Sequence, residues 1–220
     1  GEAKERIFKI GSIALDKFIN RPFGSIEFVK NHFDIIYGFN EFALLIFHTI
    51  PKERHRSAKI FENILRSLID KNIQTFVSYP NIDPGNSEII EVINKYRTNS
   101  NFIFYKNQPR DIFVSIYKNA KFIIGNSSSG ILESASIPLP AINVGYRQSG
   151  RKANANVIFV GTSEEEIKSA IDKTFDKEFI NIIKNINNIF GDGDSAIKAL
   201  NLIKNNDFKS LIFKDEDILK

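Results

Sequence analysis

The chain has 220 residues, of which 42% are hydrophobic and 25% charged, enough to build one large domain around a substantial core. Thirty Lys and Arg residues against 26 Asp and Glu leave a net charge of +4. The basic residues are scattered and are not interleaved with aromatic ones, so nucleic acid is not an expected partner. A mild positive charge of this kind is compatible with an anionic small-molecule ligand.

The absence of cysteine excludes a disulfide framework, a thiol nucleophile and a zinc–thiolate site. The three histidines show no metal-binding spacing, so we expect neither a metal nor a cofactor. No apolar run approaches the roughly 20 residues of a membrane span, and the opening sequence GEAKERIFKI lacks the apolar core of a signal peptide. These features predict a cytoplasmic protein with no membrane partner.

Six short apolar runs predict strands that are buried on both faces. They comprise residues 42–47, 73–79, 102–105, 121–125, 140–144 and 156–160. Helical patterns lie between them, at residues 56–70, 86–97, 109–119 and 128–136. In the first pattern one helix face is apolar, with Ile60, Phe61, Ile64, Leu65 and Leu68. Strands that alternate with helices predict an α/β fold with a parallel sheet and right-handed crossovers.

The two ends of the chain carry further helical patterns, at residues 12–33 (interrupted by Pro22 and Gly24), 163–186 and 194–206. The sequence TSEEE (162–166) provides a hydroxyl cap and an acidic first turn for one of these helices. The charged tail, residues 207–220, is expected to fray. We predict a single domain over residues 1–220.

Polar residues follow most of the predicted strands. In a parallel sheet the carboxyl ends of the strands meet at one edge, and ligands gather there. The residues concerned are His48-Thr49, Pro80 to Asp83, Lys106-Asn107-Gln108, Gly125 to Ser129 and Gly145 to Gln148. Their hydrogen-bonding groups suit a phosphate, a ribose and a base edge.

The sequence GNSSSG (125–130) lies between a predicted strand and a predicted helix. A helix N-terminus offers free N–H groups and a positive dipole end to an anion, and serine hydroxyls add donors. The alternative is that a serine only caps the helix, but a cap needs one serine and not three. The sequence therefore favours phosphate binding, although the motifs GxxxxGK[ST] and GxGxxG are both absent.

Three other side chains are candidates, each with a structural alternative. Glu133, one turn into that helix, is placed to accept two vicinal ribose hydroxyls, or is a solvated surface carboxylate. Arg147 and Arg151 suit phosphate but are also ordinary surface residues. His48 is an acid, base or phosphate donor, or a half-buried histidine at a strand end. The turn-like sequence PNIDPG (80–85) would be explained by its turn residues alone if it did not follow a strand.

The sequence GNSSSGILESASIPLPAINVGYRQSGR (125–151), followed by NVI, is very similar to the C-terminal signature of the hydrolysing UDP-N-acetylglucosamine 2-epimerases. Further matches occur in the same order at residues 11–18, 42–70, 79–90 and 190–200. The resemblance implies a Rossmann-like parallel sheet flanked by helices, the C-terminal lobe of a glycosyltransferase-B-type epimerase fold. It also implies that the N-terminal catalytic lobe is not part of this sequence.

The resemblance further implies a role for each candidate residue. Ser127 and Ser128 would bind the diphosphate, Glu133 would bind the ribose hydroxyls and Arg147 would contact the nucleotide. Gln108 would lie near the uracil. The nucleotide cleft would be lined by His48, Asn81 and Asp83, and His48 is also the catalytic candidate. The family reaction eliminates UDP to leave a 2-acetamidoglucal, whose hydration releases N-acetylmannosamine for sialic-acid synthesis. The proton-transferring carboxylates belong to the other lobe, so this chain alone is expected to be inactive.

Three alternatives stay open. One is a 2-epimerase for a related sugar, such as UDP-N,N'-diacetylbacillosamine, because the sugar is recognised mainly by the other lobe. Another is a glycosyltransferase lobe of the same fold, and a third is a non-catalytic nucleotide-binding module. The expected partners are UDP or a UDP-sugar and a complementary N-terminal lobe, and the sequence leaves a homo-oligomer open.

Overall fold

The protein is an α/β fold with a six-stranded parallel sheet, seen in a computed structural model that describes residues 4–50 and 54–211. The strands are β1 (Ala43–Ile46), β2 (Thr75–Ser78), β3 (Phe102–Tyr105), β4 (Phe122–Gly125), β5 (Ala141–Val144) and β6 (Val157–Val160). Each lies within one of the six apolar runs, so the predicted strands and the fold class are confirmed.

Nine α-helices lie within the described ranges: α1 (Ile13–Asn20), α2 (Ile26–His32), α3 (Arg54–Asp70), α4 (Asn86–Tyr96), α5 (Arg110–Asn119), α6 (Ser129–Leu132), α7 (Glu164–Lys173), α8 (Lys177–Ile183) and α9 (Ser195–Asn205). Short 3-10 helices are found at Lys4–Arg6, Ser134–Ser136 and Phe208–Leu211. The break predicted at Pro22 and Gly24 separates α1 from α2. None of the described helices has both the length and the apolar content needed to cross a membrane.

The helical pattern at residues 128–136 departs from a regular helix. Helix α6 has only four residues, and the chain continues as the 3-10 helix Ser134–Ser136. Pro138 follows closely and would clash with a continuing α-helix. The Ser134 hydroxyl also donates a hydrogen bond to the Gly130 carbonyl at 2.6 Å, which competes with regular helical pairing.

The strands are ordered β3-β2-β1-β4-β5-β6, all parallel. This is the order of a Rossmann-like sheet, in which the chain first builds outward from β1 on one side and then outward from β4 on the other. Leu45 lies opposite Val77 on one side and Ile124 on the other, which fixes the register at the centre. The junction of β1 and β4 is therefore the topological switch point of the sheet.

Helices cover both faces of the sheet because successive strand side chains alternate in direction. On one face Val77 joins a buried cluster with residues of α3, α4 and α7. On the other face the Phe76 ring packs against Phe33 and Phe42, with ring centroids 5.1 and 4.7 Å apart. The apolar face predicted for α3 is confirmed, since all five of its residues are at most 4% exposed.

The predicted start of α7 is also confirmed. The Ser163 hydroxyl accepts from the Glu166 backbone N–H, and the Glu166 carboxylate accepts from the Ser163 backbone N–H, which is a capping box. Such reciprocal bonds satisfy two N–H groups that the first turn of a helix leaves unpaired.

The chain divides into two compact units, where the sequence analysis treated residues 1–220 as one. The larger unit is residues 21–189 and contains the sheet. The other is formed by residues 1–20 and 190–220. Within it the Asp16 carboxylate accepts from the backbone N–H groups of Ser195 and Ala196, at 3.0 and 2.7 Å, and so caps α9. Of the tail predicted to fray, residues 212–220 lie outside the described residues.

Candidate functional site at the carboxyl edge of the sheet

The site is built around the switch point, where β1 and β4 end side by side. His48 follows β1, and Asn126 follows β4 directly. Connections leave these two strands toward opposite sides of the sheet, which opens a crevice at their carboxyl ends. Two neighbouring polar segments of the sequence analysis are thus brought together by the strand order.

Asn126 joins the segments that follow three strands. Its side chain is fully buried. The carboxamide oxygen accepts from the His48 backbone N–H and the carboxamide nitrogen donates to the His48 carbonyl, both at 2.8 Å. Its own carbonyl accepts from Arg147 Nη1 at 2.9 Å and from Gln148 Nε2 at 2.8 Å. The position of His48 and of the segment after β5 therefore depends on Asn126, which the sequence analysis did not select as a site residue.

Gly125 allows this close arrangement. Its φ is +134°, and a Cβ atom placed there would lie 2.0 Å from the Ile46 carbonyl oxygen. Only glycine adopts such a backbone conformation without strain and leaves room for the neighbouring strand. The close approach of β1 to β4 therefore explains why GNSSSG begins with a glycine.

His48 is half-buried and electrostatically coupled to its neighbours. Burial lowers the pKa of His48, the positive charge of Arg147 lowers it further, and the Asp83 carboxylate partly opposes both. The Asn81 backbone N–H lies 3.5 Å from His48 Nδ1, at the limit of a hydrogen bond. A neutral imidazole that accepts at Nδ1 carries its proton on Nε2 and can donate there.

The turn after β2 holds Asn81 and Asp83 close to His48. The Asn81 side chain donates to the Asp83 carboxylate at 2.6 Å, and the Asn86 side chain donates to the Asn81 carbonyl at 3.1 Å. The bonds within PNIDPG are those of an ordinary turn. The turn nevertheless faces the switch point, since Asp83 acts on the charge of His48. We call His48, Asn81, Asp83, Asn126 and Arg147 the switch-point cluster.

Ser127 and Ser128 follow Asn126 directly. The Ser127 hydroxyl accepts from the Ser129 backbone N–H at 3.3 Å. Ser128 is the N-cap residue of α6, and its side chain makes no capping hydrogen bond in the described structure. Because α6 has only four residues, its dipole is much smaller than the sequence analysis expected. A phosphate at this position would depend mainly on the hydroxyls and on nearby cationic side chains.

Glu133 is buried and paired, with 8% of its surface exposed. One carboxylate oxygen accepts from Arg110 Nη2 at 2.9 Å, and the other accepts from the Ser129 hydroxyl. The Tyr117 hydroxyl donates to the Ser129 carbonyl at 2.9 Å, and burial raises the pKa of Tyr117, so it stays a donor. The alternative of a solvated surface carboxylate is wrong. We call Arg110, Tyr117, Ser129 and Glu133 the carboxylate cluster.

Gln108 lies at the same edge, in the segment between β3 and α5, but its observed partner is a different one. Its side-chain oxygen is 2.8 Å from His32 Nε2, at the end of α2. The structure thus brings His48, Asn81, Asp83 and Arg147 together through Asn126 and the turn after β2. Glu133 belongs to the carboxylate cluster. Arg110 was not predicted as a site residue, because its partner Glu133 lies 23 residues away in the sequence.

Some hydrogen-bonding capacity at this edge is not used by the fold. The buried atoms Thr49 Oγ1 and Gln148 Oε1 have no partner among the described residues. Buried polar atoms of this kind are costly unless something pairs with them. Across residues 4–50 and 54–211, no three His, Asp or Glu side chains come together in a way that could hold a metal ion.

Comparison with known proteins gives one family match and several relatives. A family profile described as UDP-N-acetylglucosamine 2-epimerase matches residues 1–204. The chain is 30% identical over 207 residues to the UDP-N,N'-diacetylbacillosamine 2-epimerase (hydrolyzing) of Legionella pneumophila, covering 93% of this chain and 53% of that protein. It is 31% identical over 172 residues to the UDP-N-acetylglucosamine 2-epimerase of Neisseria meningitidis, covering 78% of this chain and 45% of that protein.

A solved structure supports the fold independently. The S. aureus MnaA–UDP co-structure superposes with a TM-score of 0.70 at 17% identity, covering 97% of this chain and 56% of that one. At this identity the likeness concerns the fold alone. The chain spans about half the length of the curated relatives and of the solved structure that it matches.

Proposed function

The chain belongs to the UDP-N-acetylglucosamine 2-epimerase family, and we propose that it is the C-terminal, nucleotide-binding lobe of a hydrolysing enzyme of that family. The observation that carries the proposal is the switch-point cluster. There Asn126 holds His48 and Arg147 in one network at the carboxyl ends of β1 and β4. Ligands of Rossmann-like sheets bind at this point.

In this proposal the UDP portion lies along the carboxyl edge. Arg147 is exposed beyond its bond to Asn126 and supplies positive charge for the diphosphate. His48 Nε2 and the hydroxyls of Ser127 and Ser128 supply neutral donors. Glu133 takes the ribose hydroxyls, and Gln108 lies toward the base.

The proposed reaction converts UDP-N-acetylglucosamine and water to N-acetylmannosamine and UDP. UDP leaves first, and negative charge then develops on the departing diphosphate. Donors and cations fixed in place before the reaction stabilise such charge without reorganisation. A neutral His48 that donates from Nε2 would act on this leaving group. The proton transfers at the sugar are assigned to a second lobe, so the 220-residue chain alone is expected to show no turnover.

A second candidate substrate is UDP-N,N'-diacetylbacillosamine. The Legionella relative matches 93% of this chain, and its name includes that sugar. Both candidates share the UDP portion and the elimination chemistry. They differ in the sugar, which lies away from the groups described at the carboxyl edge.

Isothermal titration with UDP, UMP and GDP tests the proposal. We expect UDP to bind more tightly than UMP, because the second phosphate adds charged hydrogen bonds, and more tightly than GDP, because the purine differs in size. The double variant Ser127→Ala/Glu133→Ala should weaken UDP binding by at least about tenfold. Arg97→Met, at the exposed end of α4, is a control that removes charge elsewhere.

Two outcomes would contradict the proposal. The chain would be a different kind of module if none of the three nucleotides bound to it. Epimerase turnover by the 220-residue chain alone would show that the proton-transferring groups had been assigned to the wrong lobe.

A further inference from the structure

Glu133 receives hydrogen bonds on both carboxylate oxygens. Arg110 donates to Oε1 from the first turn of α5, and Ser129 donates to Oε2 from the first residue of α6. A carboxylate whose two oxygens both accept hydrogen bonds cannot rotate freely. The orientation of Glu133 is therefore set by the protein before any ligand arrives.

Arg110 is itself held in place. Its guanidinium lies 5.3 Å from the centre of the Phe113 ring, one turn further along α5. This contact is a cation–π interaction, and the planar guanidinium presents its N–H groups in a fixed fork. The side chain of Arg110 is 38% exposed and that of Glu133 only 11%. Arg110 is therefore the more exposed member of the pair, and Glu133 is the more buried one.

We propose that Arg110 is a positioning residue that makes the site select ribonucleotides over 2'-deoxyribonucleotides. This inference rests on the proposed function, in which Glu133 accepts the ribose hydroxyls. An ionised carboxylate has about four lone-pair positions. Arg110 and Ser129 occupy one position on each oxygen, which leaves one on each for the two vicinal hydroxyls. A 2'-deoxyribose supplies only one hydroxyl and leaves one buried acceptor position unpaired.

Removing Arg110 would remove the basis of this selection. A largely buried carboxylate that loses its charged partner is no longer held in one orientation and turns toward water. A carboxylate that has turned away no longer offers two fixed acceptors to a diol. Both nucleotides would then keep the same contacts with phosphate and base, and the discrimination at the 2' position would disappear.

The test is the ratio of UDP affinity to 2'-deoxy-UDP affinity, measured by isothermal titration. We expect the unmodified chain to prefer UDP by about tenfold or more, since a buried acceptor left unpaired costs affinity. Arg110→Met should reduce the preference to about twofold or less by the same reasoning. Arg110→Lys keeps the charge without the fork and should fall between the two. Arg97→Met should leave the ratio unchanged.

A ratio is insensitive to the fraction of protein that is folded, so it separates positioning from general stability. If Arg110→Met does not fold, Arg110→Gln serves in its place, with the same expected loss of preference. Equal weakening of both nucleotides with an unchanged ratio would overturn the inference and would indicate that Arg110 contacts the phosphates. Equal affinity of the unmodified chain for the two nucleotides would overturn it while leaving UDP binding intact. Failure of both nucleotides to bind would instead remove the proposed function.

Discussion

The two edges of the same sheet use their polar residues in different ways. At the carboxyl edge, Asn126 and Glu133 are buried and join segments far apart in sequence. At the amino edge, the Lys121–Glu41 pair spans 2.8 Å with side chains 48% and 72% exposed, and Asn99 accepts a local turn hydrogen bond from the Asn101 N–H at 2.9 Å. Exposed ion pairs and local turns contribute little to specific structure.

The difference shows what marks a candidate site in this fold. The amino edge also has a concave region, lined in part by Phe42, Gln74 and Lys121, so concavity alone does not distinguish the edges. The amino edge also holds a buried side chain, Asn156, that bonds across chain segments. What distinguishes the carboxyl edge is that its buried polar groups join the segments after three strands at the switch point. Such groups are costly to bury and must be positioned by the tertiary structure.

The largest expected effect that tests this contrast is that of Gly125→Ala. The new Cβ would meet the Ile46 carbonyl oxygen at 2.0 Å and force β1 and β4 apart, with an expected loss above about 3 kcal/mol of unfolding free energy. Gly150→Ala is the matched control, because Gly150 also has a positive φ, +78°, but open space around it. We expect it to cost about 1–2 kcal/mol. Urea denaturation of both variants measures the difference, and equal losses would show that close strand approach is unimportant.

Asn126→Ala should have the next largest effect. The change leaves the backbone N–H and C=O of the half-buried His48 without their partners, at an expected cost of about 2–4 kcal/mol. Asn99→Ala, at the amino edge, removes one partly buried local bond and should cost about 0.5–1.5 kcal/mol. Denaturant midpoints of the two variants compare the edges directly. Similar values for both would remove the distinction drawn between them.

The smallest expected effect concerns pH and His48. Its pKa is lowered below the ordinary 6.5 in the folded protein, first by burial and then by Arg147. An unfolded chain therefore takes up a proton at this histidine before the folded protein does, and stability falls as the pH drops through 6.5 toward the folded pKa. His48→Gln should lose less stability than the unmodified chain between about pH 7.5 and about pH 5.5.

The control for this measurement is His55→Gln, an exposed position on α3. It shows what a His→Gln change does at a surface position. If His48→Gln lost as much stability as the unmodified chain over this pH range, the lowered pKa of His48 would be disproved.

The sequence by itself determined the elements of this protein. The six strands, the apolar face of α3 and the hydroxyl cap at the start of α7 were all predicted, because each depends on residues that are close together in the sequence. The same local reasoning predicted that polar residues would gather at the carboxyl edge. It failed at residues 128–136, where Pro138 and the Ser134 hydroxyl interrupt a pattern that is otherwise helical.

Only the tertiary structure decided how these elements meet. The order β3-β2-β1-β4-β5-β6 places β4 beside β1. Because these strands are adjacent, Asn126 contacts His48, which is 78 residues away in the sequence. The bond between Arg110 and Glu133 depends in the same way on the packing of α5 near α6. Long-range pairs of this kind have no period or local spacing in the sequence. They form because burying a polar group is costly unless the fold brings it a partner.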